Sequence, residues 1–459
     1  MPGYANWKDL FALEYLQLYE EGYPVGASTE PNFAAEYLPE RLRTAADTST
    51  LSEAEWEQAY YGLWSQRERG IRADFPFVEP NDYEPIIAEA ADVPILTALN
   101  DEEYRERIKG AWYGRIAAVI LGKPFEMRLD RKFIRRYLES VDAYPLDDWT
   151  PHRSPELGIT LRCKPSTLGN VEYAEPDDDI HYTILGLMLL ENQGFNFSKL
   201  DVANNHLRNI PYHWLFSCTR QSYYHMVNLN EELPVEEQIA EFPTKINPWR
   251  EGINTAIRAD FWGYIAPSDP RRAARIAHRE VTLNAVKNGI YSSMFVAGAL
   301  SAALSRQATV DAIIQGGLSV IPQRSRLAHI VQEVQDWYAA DADWLPVCDR
   351  IYDKYGHLPF LHSLHNMAFV VLALLHGNLD YSKTITTAVM CGMDTDCTSG
   401  TAGSIVGAAI GYDRLDQRWI EPLNDHVKTV VAGFGQGSIS GLVQRNFDLW
   451  LKLRDQPVP

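Results

Sequence analysis

Residues 109–126 read KGAWYGRIAAVILGKPFE, and residues 399–411 read SGTAGSIVGAAIG. In the first stretch Gly110, Gly114, Ala118 and Gly122 recur every four residues; in the second Gly403, Gly407 and Gly411 do so. Residues four apart share one face of a helix. A face of small side chains lets another helix approach closely. Glycine inside a helix otherwise costs about 1 kcal/mol relative to alanine, so its repetition on one stripe points to tight helix packing. A membrane dimerisation motif uses the same stripe, but the lengths and flanking charges here oppose that reading. Clusters of β-branched residues at strand spacing are few, so a mainly helical fold is expected.

Working outward, the first helix ends at Gly122 and Pro124 and leaves Glu126 just beyond it. Ile180, Thr183, Ile184, Leu187 and Met188 form the apolar stripe of another helix. Asp177, Asp178 and Asp179 fall in its first turn, where the macrodipole favours negative charge. Successive helical residues point about 100° apart, so these three carboxylates are expected to fan out and hold up to two cations between neighbours. A second acidic pair, Asp394 and Asp396, precedes a helix expected over 398–410. Like charges crowded together need compensation, and a hard divalent cation with oxygen ligands supplies it.

The chain has 459 residues, of which 46% are hydrophobic, enough for one large core or a core and a smaller unit. Its net charge is −19. No basic face of the kind a general nucleic-acid binder needs is visible. The five cysteines, at 163, 218, 348, 391 and 397, are scattered and odd in number, with no CxxC pair. That fits a reducing cytoplasm. The first residues lack the basic and apolar regions of a secretory leader. The longest apolar run, Met367 to Leu375, is too short to span a bilayer.

Residues 1–98 read as a polar helical extension. Leu10, Leu13, Tyr15 and Leu16 recur at helical spacing, and Ser52 is an N-cap candidate for a second helix. Pro76, Pro80, Pro85 and Pro94 mark an extended linker. The body, 99–459, begins with a helix for which Asp101 is the expected N-cap. Residues 141–175 are irregular and rich in proline, as binding loops often are.

Four blocks in order give the chain a resemblance to a known family: RIKGAWYGRIAAVILGKPFE (107–126), PDDDIHYTILGLMLLENQG (176–194), INTAIRADFWGYIAPSDPRRAARIAHREVTLNAVKNGIYSSMF (253–295) and MCGMDTDCTSGTAGSIVGAAIG (390–411). Together they resemble the ADP-ribosylglycohydrolase family over roughly residues 100–415, with 1–98 similar to the extension of one bacterial branch. The resemblance implies an all-α, orthogonally packed multi-helix core and a binuclear Mg²⁺ or Mn²⁺ centre. It implies metal ligation by Asp177, Asp178, Asp179, Asp394 and Asp396, with Cys397 at a position the family fills with Thr. Asp177 likewise stands where the family has Thr.

The implied activity is metal-dependent hydrolysis of an N- or O-glycosidic bond at ribose, in an ADP-ribosyl or related substrate. Asp178 or Asp179 is the expected general base, and Glu126 contacts the sugar or gates the site. Arg258 could meet a phosphate or pair with Asp260. Asn288, Gly289 and Asn366 are further candidates for substrate binding, although Asn288-Gly289 also reads as a turn and Asn366 as an N-cap. His181 reads as a buried structural histidine. Alternative functions are a nucleoside or nucleotide N-ribosidase, or a non-catalytic binder of ADP-ribose. A small-molecule or ADP-ribosylated substrate is expected as partner, without nucleic acid or membrane.

Overall fold

A computed structural model describes residues 5–25, 51–126, 129–306 and 308–459. Part of the expected N-terminal extension, residues 1–4 and 26–50, therefore lies outside the described residues. The labelled helices are α1 (Trp7–Glu20), α2 (Glu53–Trp64), α3 (Asp101–Gly122), α4 (Asp178–Gln193), α5 (Lys287–Ala303), α6 (Ser363–Gly377) and α7 (Thr395–Ile410). Among the described residues, strands occur as three two-stranded antiparallel pairs. The expected all-α class is what the chain adopts.

The two glycine stripes face each other. A side chain at Gly110 would meet the Gly407 carbonyl at 2.3 Å, one at Gly114 the Gly403 carbonyl at 2.6 Å, and one at Gly122 the Thr395 carbonyl at 2.3 Å. The start of α3 thus lies on the end of α7, and the end of α3 on its start, so the pair is antiparallel. Polar caps stitch it: Thr395 Oγ1 donates to Gly122 O at 2.8 Å, and Ser399 Oγ to Ala118 O at 2.8 Å. Every residue of α7 is buried, as is α3 from Gly110 onward. Such helices carry no amphipathic stripe because both sides are core. We expect Gly407→Ala to lower stability by about 1–3 kcal/mol, despite alanine's better helix propensity, since the added carbon would sit 2.2 Å from the Gly110 carbonyl. Thermal denaturation reads this directly, and an unchanged or raised Tm would contradict it.

α3 starts one residue earlier than read from sequence. Its N-cap is Asn100, which exchanges hydrogen bonds with Glu103 in a capping box. Ser52 caps α2 as expected, paired with Glu55. After α3 a short 3₁₀ turn, Lys123–Phe125, delivers Glu126. The following Leu129–Asp130 pairs with Gly392–Met393, just ahead of α7. Gly392 turns the chain there with φ +84°, a backbone conformation that a side chain disfavours. This pairing ties the segment after Glu126 to the segment before Asp394.

α1 and α2 share an apolar cluster of Trp7, Leu10, Phe11, Tyr15, Leu18, Trp56, Tyr60 and Leu63, joined by Trp249 of the body. The buried face of α1 also carries Glu14, Gln17 and, just past the helix end, Glu21. It is therefore rotated from the apolar stripe expected from sequence, and Leu13 and Leu16 are only partly buried. Polar side chains can occupy the inner face because each finds a partner there. Arg250 pairs with Glu14 at 2.8 Å and Glu21 at 2.5 Å, and Gln17 donates to Glu251 at 2.6 Å. The linker continues these contacts, with Glu79 paired to Arg326 at 2.8 Å. No described helix is long and apolar enough to cross a membrane.

Candidate metal centre

Antiparallel packing of α3 and α7 brings the end of one helix to the start of the other. Glu126 therefore meets Asp394 and Asp396: the three offer carboxylate oxygens within 4.8 Å of one another. α4 enters this junction through Arg115, a guanidinium buried in the middle of α3. Arg115 Nη2 lies 3.1 Å from Asp179 Oδ1, and its Nε and Nη2 donate to the Asp179 carbonyl at 3.1 and 2.9 Å. Its Nη1 pairs with Asp260 at 2.9 Å. This arginine clamps the N-terminus of α4 against α3, and so brings the two acidic runs together. Asp179, Asp396 and Cys397 form a second group of ligand atoms within 4.8 Å, and Asp177, Asp178 and Asp179 a third.

The three consecutive aspartates do not fan apart as expected. Asp177 is the N-cap, with extended backbone, and its carboxylate folds back to accept from Asp179 N at 3.0 Å. The helical 100° rule does not govern a residue outside the helix. α7 likewise begins earlier than expected, at Thr395. Asp394 is its N-cap and Asp396 lies in its first turn, where Asp396 Oδ1 accepts from Cys397 N at 3.0 Å.

Charge dominates the site. Asp178 and Asp394 are held well above the usual carboxylate range, by burial first and by facing carboxylates second. Asp179 is raised by burial despite Arg115. Asp396 is pushed up to about 6 by burial and Asp177. Glu126 is pushed to about 10, by Asp396 first and then by burial. Burial opposes the Lys123 ammonium, but Asp177 outweighs it and holds the group charged above its ordinary range. This is a surplus of negative charge on hard oxygen donors, the donor set that suits Mg²⁺ or Mn²⁺. Cys397 fits less well: its thiol is pushed up by burial and Asp179, and it donates to Asp179 Oδ2 at 3.2 Å. A neutral thiol is a poor ligand for a hard cation.

The remaining candidates make their contacts elsewhere. Arg258 pairs with Glu280 at 3.2 Å and donates to Thr219 and Asn284, while Asp260 belongs to Arg115. Asn288 and Gly289 lie inside α5 rather than in a turn. Asn288 spends its amide on Glu79 and Glu251 and accepts from Leu327 N, and Gly289 gives room to the Arg250 carbonyl, 2.2 Å from where a side chain would begin. Asn366 is inside α6, whose N-cap is His362, and donates to the carbonyls of Phe360 and His362. Among the described residues, the direct contacts of these four are thus with the surrounding core and not with the carboxylates of the acidic junction. His181 accepts from Val430 N at 3.3 Å, and burial lowers its pKa to about 3.

Two participants had no assigned role in the sequence reading, Arg115 and Lys123. A signal for both exists in residues 109–126. A single arginine inside an otherwise apolar helical run must be buried with a partner, and Lys123 lies eight residues, about two turns, further along.

A family model described as ADP-ribosylglycohydrolase matches residues 100–453. A solved structure described as an ADP-ribosylglycohydrolase-related protein complex is similar at 15% identity with a TM-score of 0.48, over 76% of this chain and 99% of that one. No curated protein matches the chain.

Proposed function

The chain belongs to the ADP-ribosylglycohydrolase family, and from that premise we propose that it hydrolyses a glycosidic bond at the anomeric carbon of ribose in an ADP-ribosyl or related substrate. The observation that carries the reading is the meeting of the two acidic runs, with Cys397 Sγ 3.2 Å from Asp179 across 218 residues of sequence. A divalent cation held among the carboxylates of Glu126, Asp394 and Asp396, beside the Asp177–Asp179 run, would supply charge compensation and polarise an oxygen at the scissile bond.

The chain's own residues divide the remaining work by exposure. Asp179 is fully buried, with one oxygen facing Arg115 and the other the Cys397 thiol. It holds the site's shape. Asp178 is the partly exposed member of its run, and with the charge of a bound cation favouring its ionised form it takes the proton of the attacking water. Glu126, also partly exposed, faces the sugar. The carboxylates together stabilise the positive charge that develops on the ribose ring as the bond breaks. Catalysis is assigned to residues 99–459, with 1–98 as a helical extension. The free cysteines support a reducing, cytoplasmic setting.

ADP-ribosyl-arginine, ADP-ribosyl-serine and simple nucleosides, each with Mg²⁺ or with EDTA, form the test set. Release of the leaving group from an ADP-ribosyl substrate in Mg²⁺, lost in EDTA, is the expected result. Turnover of nucleosides alone would transfer the activity to an N-ribosidase. Binding of ADP-ribose without turnover of any substrate would leave a binding protein.

A further inference from the structure

We propose that the Lys123 ammonium fills one of the two cation positions of this centre, so that the chain binds a single divalent cation, at Glu126, Asp394 and Asp396. The inference rests on the metal-centre reading above and concerns how many ions that centre holds.

Each of the three ligand groups is differently engaged. In the Asp177–Asp179 run, Lys123 Nζ sits 2.5 Å from Asp177 Oδ2 and 2.9 Å from the Pro176 carbonyl. The other Asp177 oxygen accepts from Asp179 N. Both oxygens of this carboxylate are therefore occupied, one by a full positive charge. In the group of Asp179, Asp396 and Cys397, Asp179 gives Oδ1 to Arg115 and Oδ2 to the thiol. A hard cation would have to displace a buried guanidinium or accept a neutral sulfur. In the group of Glu126, Asp394 and Asp396, no ion pair with any of the three occurs among the described residues. Lys123 acts on Glu126 and Asp396 only at longer range, so that group retains oxygens without a paired charge for a cation, and water would complete the coordination shell.

Lys123 is suited to this substitution. A lysine ammonium is a compact point charge with three donors, and it is carried on the 3₁₀ turn at the end of α3. An ammonium and a divalent cation on one carboxylate repel each other, so occupancy by one lowers affinity for the other. The same helix end presents Glu126 three residues on. One turn of chain therefore supplies both the built-in cation and a ligand for the bound one.

Metal-free protein is loaded with Mn²⁺, dialysed, and measured for bound Mn²⁺ per chain and for its electron paramagnetic resonance spectrum. Wild type is expected to hold one ion, with the spectrum of an isolated Mn²⁺. Lys123→Met is expected to hold two, with spin coupling between them. Two ions in wild type would overturn the proposal and leave the metal-centre reading standing. One ion in both proteins would overturn the role of the lysine. None in either would remove the metal-centre reading, and the proposal with it. Anomalous scattering from wild-type crystals soaked in Mn²⁺ keeps the test independent of how the variant folds. One peak beside Glu126, Asp394 and Asp396, with Lys123 still on Asp177, supports the proposal; two peaks, or a displaced lysine, refute it.

Discussion

Asp396→Ala is expected to abolish cation retention and to reduce hydrolysis by a factor on the order of 10³, the scale of losing a charge-stabilising group in a preorganised site. Asp396 is the one residue common to the group with Glu126 and Asp394 and the group with Asp179 and Cys397. It is also buried, so water cannot replace its charge at that point. The same substitution should not unfold the protein. Asp396 is the largest cause of the raised Glu126 pKa and adds to those of Asp178, Asp179 and Asp394. Its removal relieves repulsion, so Tm in the absence of metal is expected to hold or rise, as for other functional sites built at the expense of stability. Turnover and Tm measured on one preparation separate the two effects. Full activity with Mg²⁺ in the variant would remove Asp396 from the site.

Arg250→Ala carries the largest expected stability effect, a loss of about 3–5 kcal/mol, as when one member of a buried ion pair is deleted. The guanidinium reaches both oxygens of Glu14 at 2.8 and 2.9 Å and Glu21 at 2.5 Å. All three side chains are buried. Without Arg250, the remaining hydrogen-bond partner of Glu14 among the described residues is the Tyr60 hydroxyl, at 3.3 Å. Glu21 keeps Lys287, at 3.3 Å, and Gln17, at 2.9 Å. The damage is expected to fall on the seat of α1 first, since the body core is a separate apolar cluster. Urea denaturation gives the magnitude, and limited proteolysis its location, with early cleavage within the first 98 residues. Adding Glu14→Gln to the variant removes the stranded charge and should restore part of the loss. A variant as stable as wild type would show that α1 is held by its apolar face alone.

Much of the architecture was legible in residues 109–126 and 399–411. Two four-residue glycine repeats require close helix contact wherever they fold, because nothing else compensates the propensity they give up. The acidic runs were legible too, since five carboxylates near two helix starts demand compensation. What the sequence did not show is which groups answer each other. Arg258, Asn288 and Gly289 stand in a family block, and they and Asn366 carry suitable chemistry, yet their partners include Glu280, Glu79, Glu251, the Arg250 carbonyl and the Phe360 carbonyl. A polar side chain in a one-dimensional pattern reads the same whether it faces a ligand or satisfies a buried neighbour. Lys123 and Arg115 went unassigned for the converse reason: the carboxylates they hold are 54 and 64 residues away.

By itself, then, the sequence determined the helical class, the close-packed stripes and the hard oxygen donors, because each depends on local spacing and side-chain chemistry. Only the tertiary structure decided that α3 and α7 run antiparallel, which places Glu126 against Asp394 and Asp396, and that Arg115 draws Asp179 into the same junction. It also decided that a lysine, and not solvent, faces Asp177. Electrostatic compensation acts through space over a few ångströms, and only folding determines which charges come within that distance.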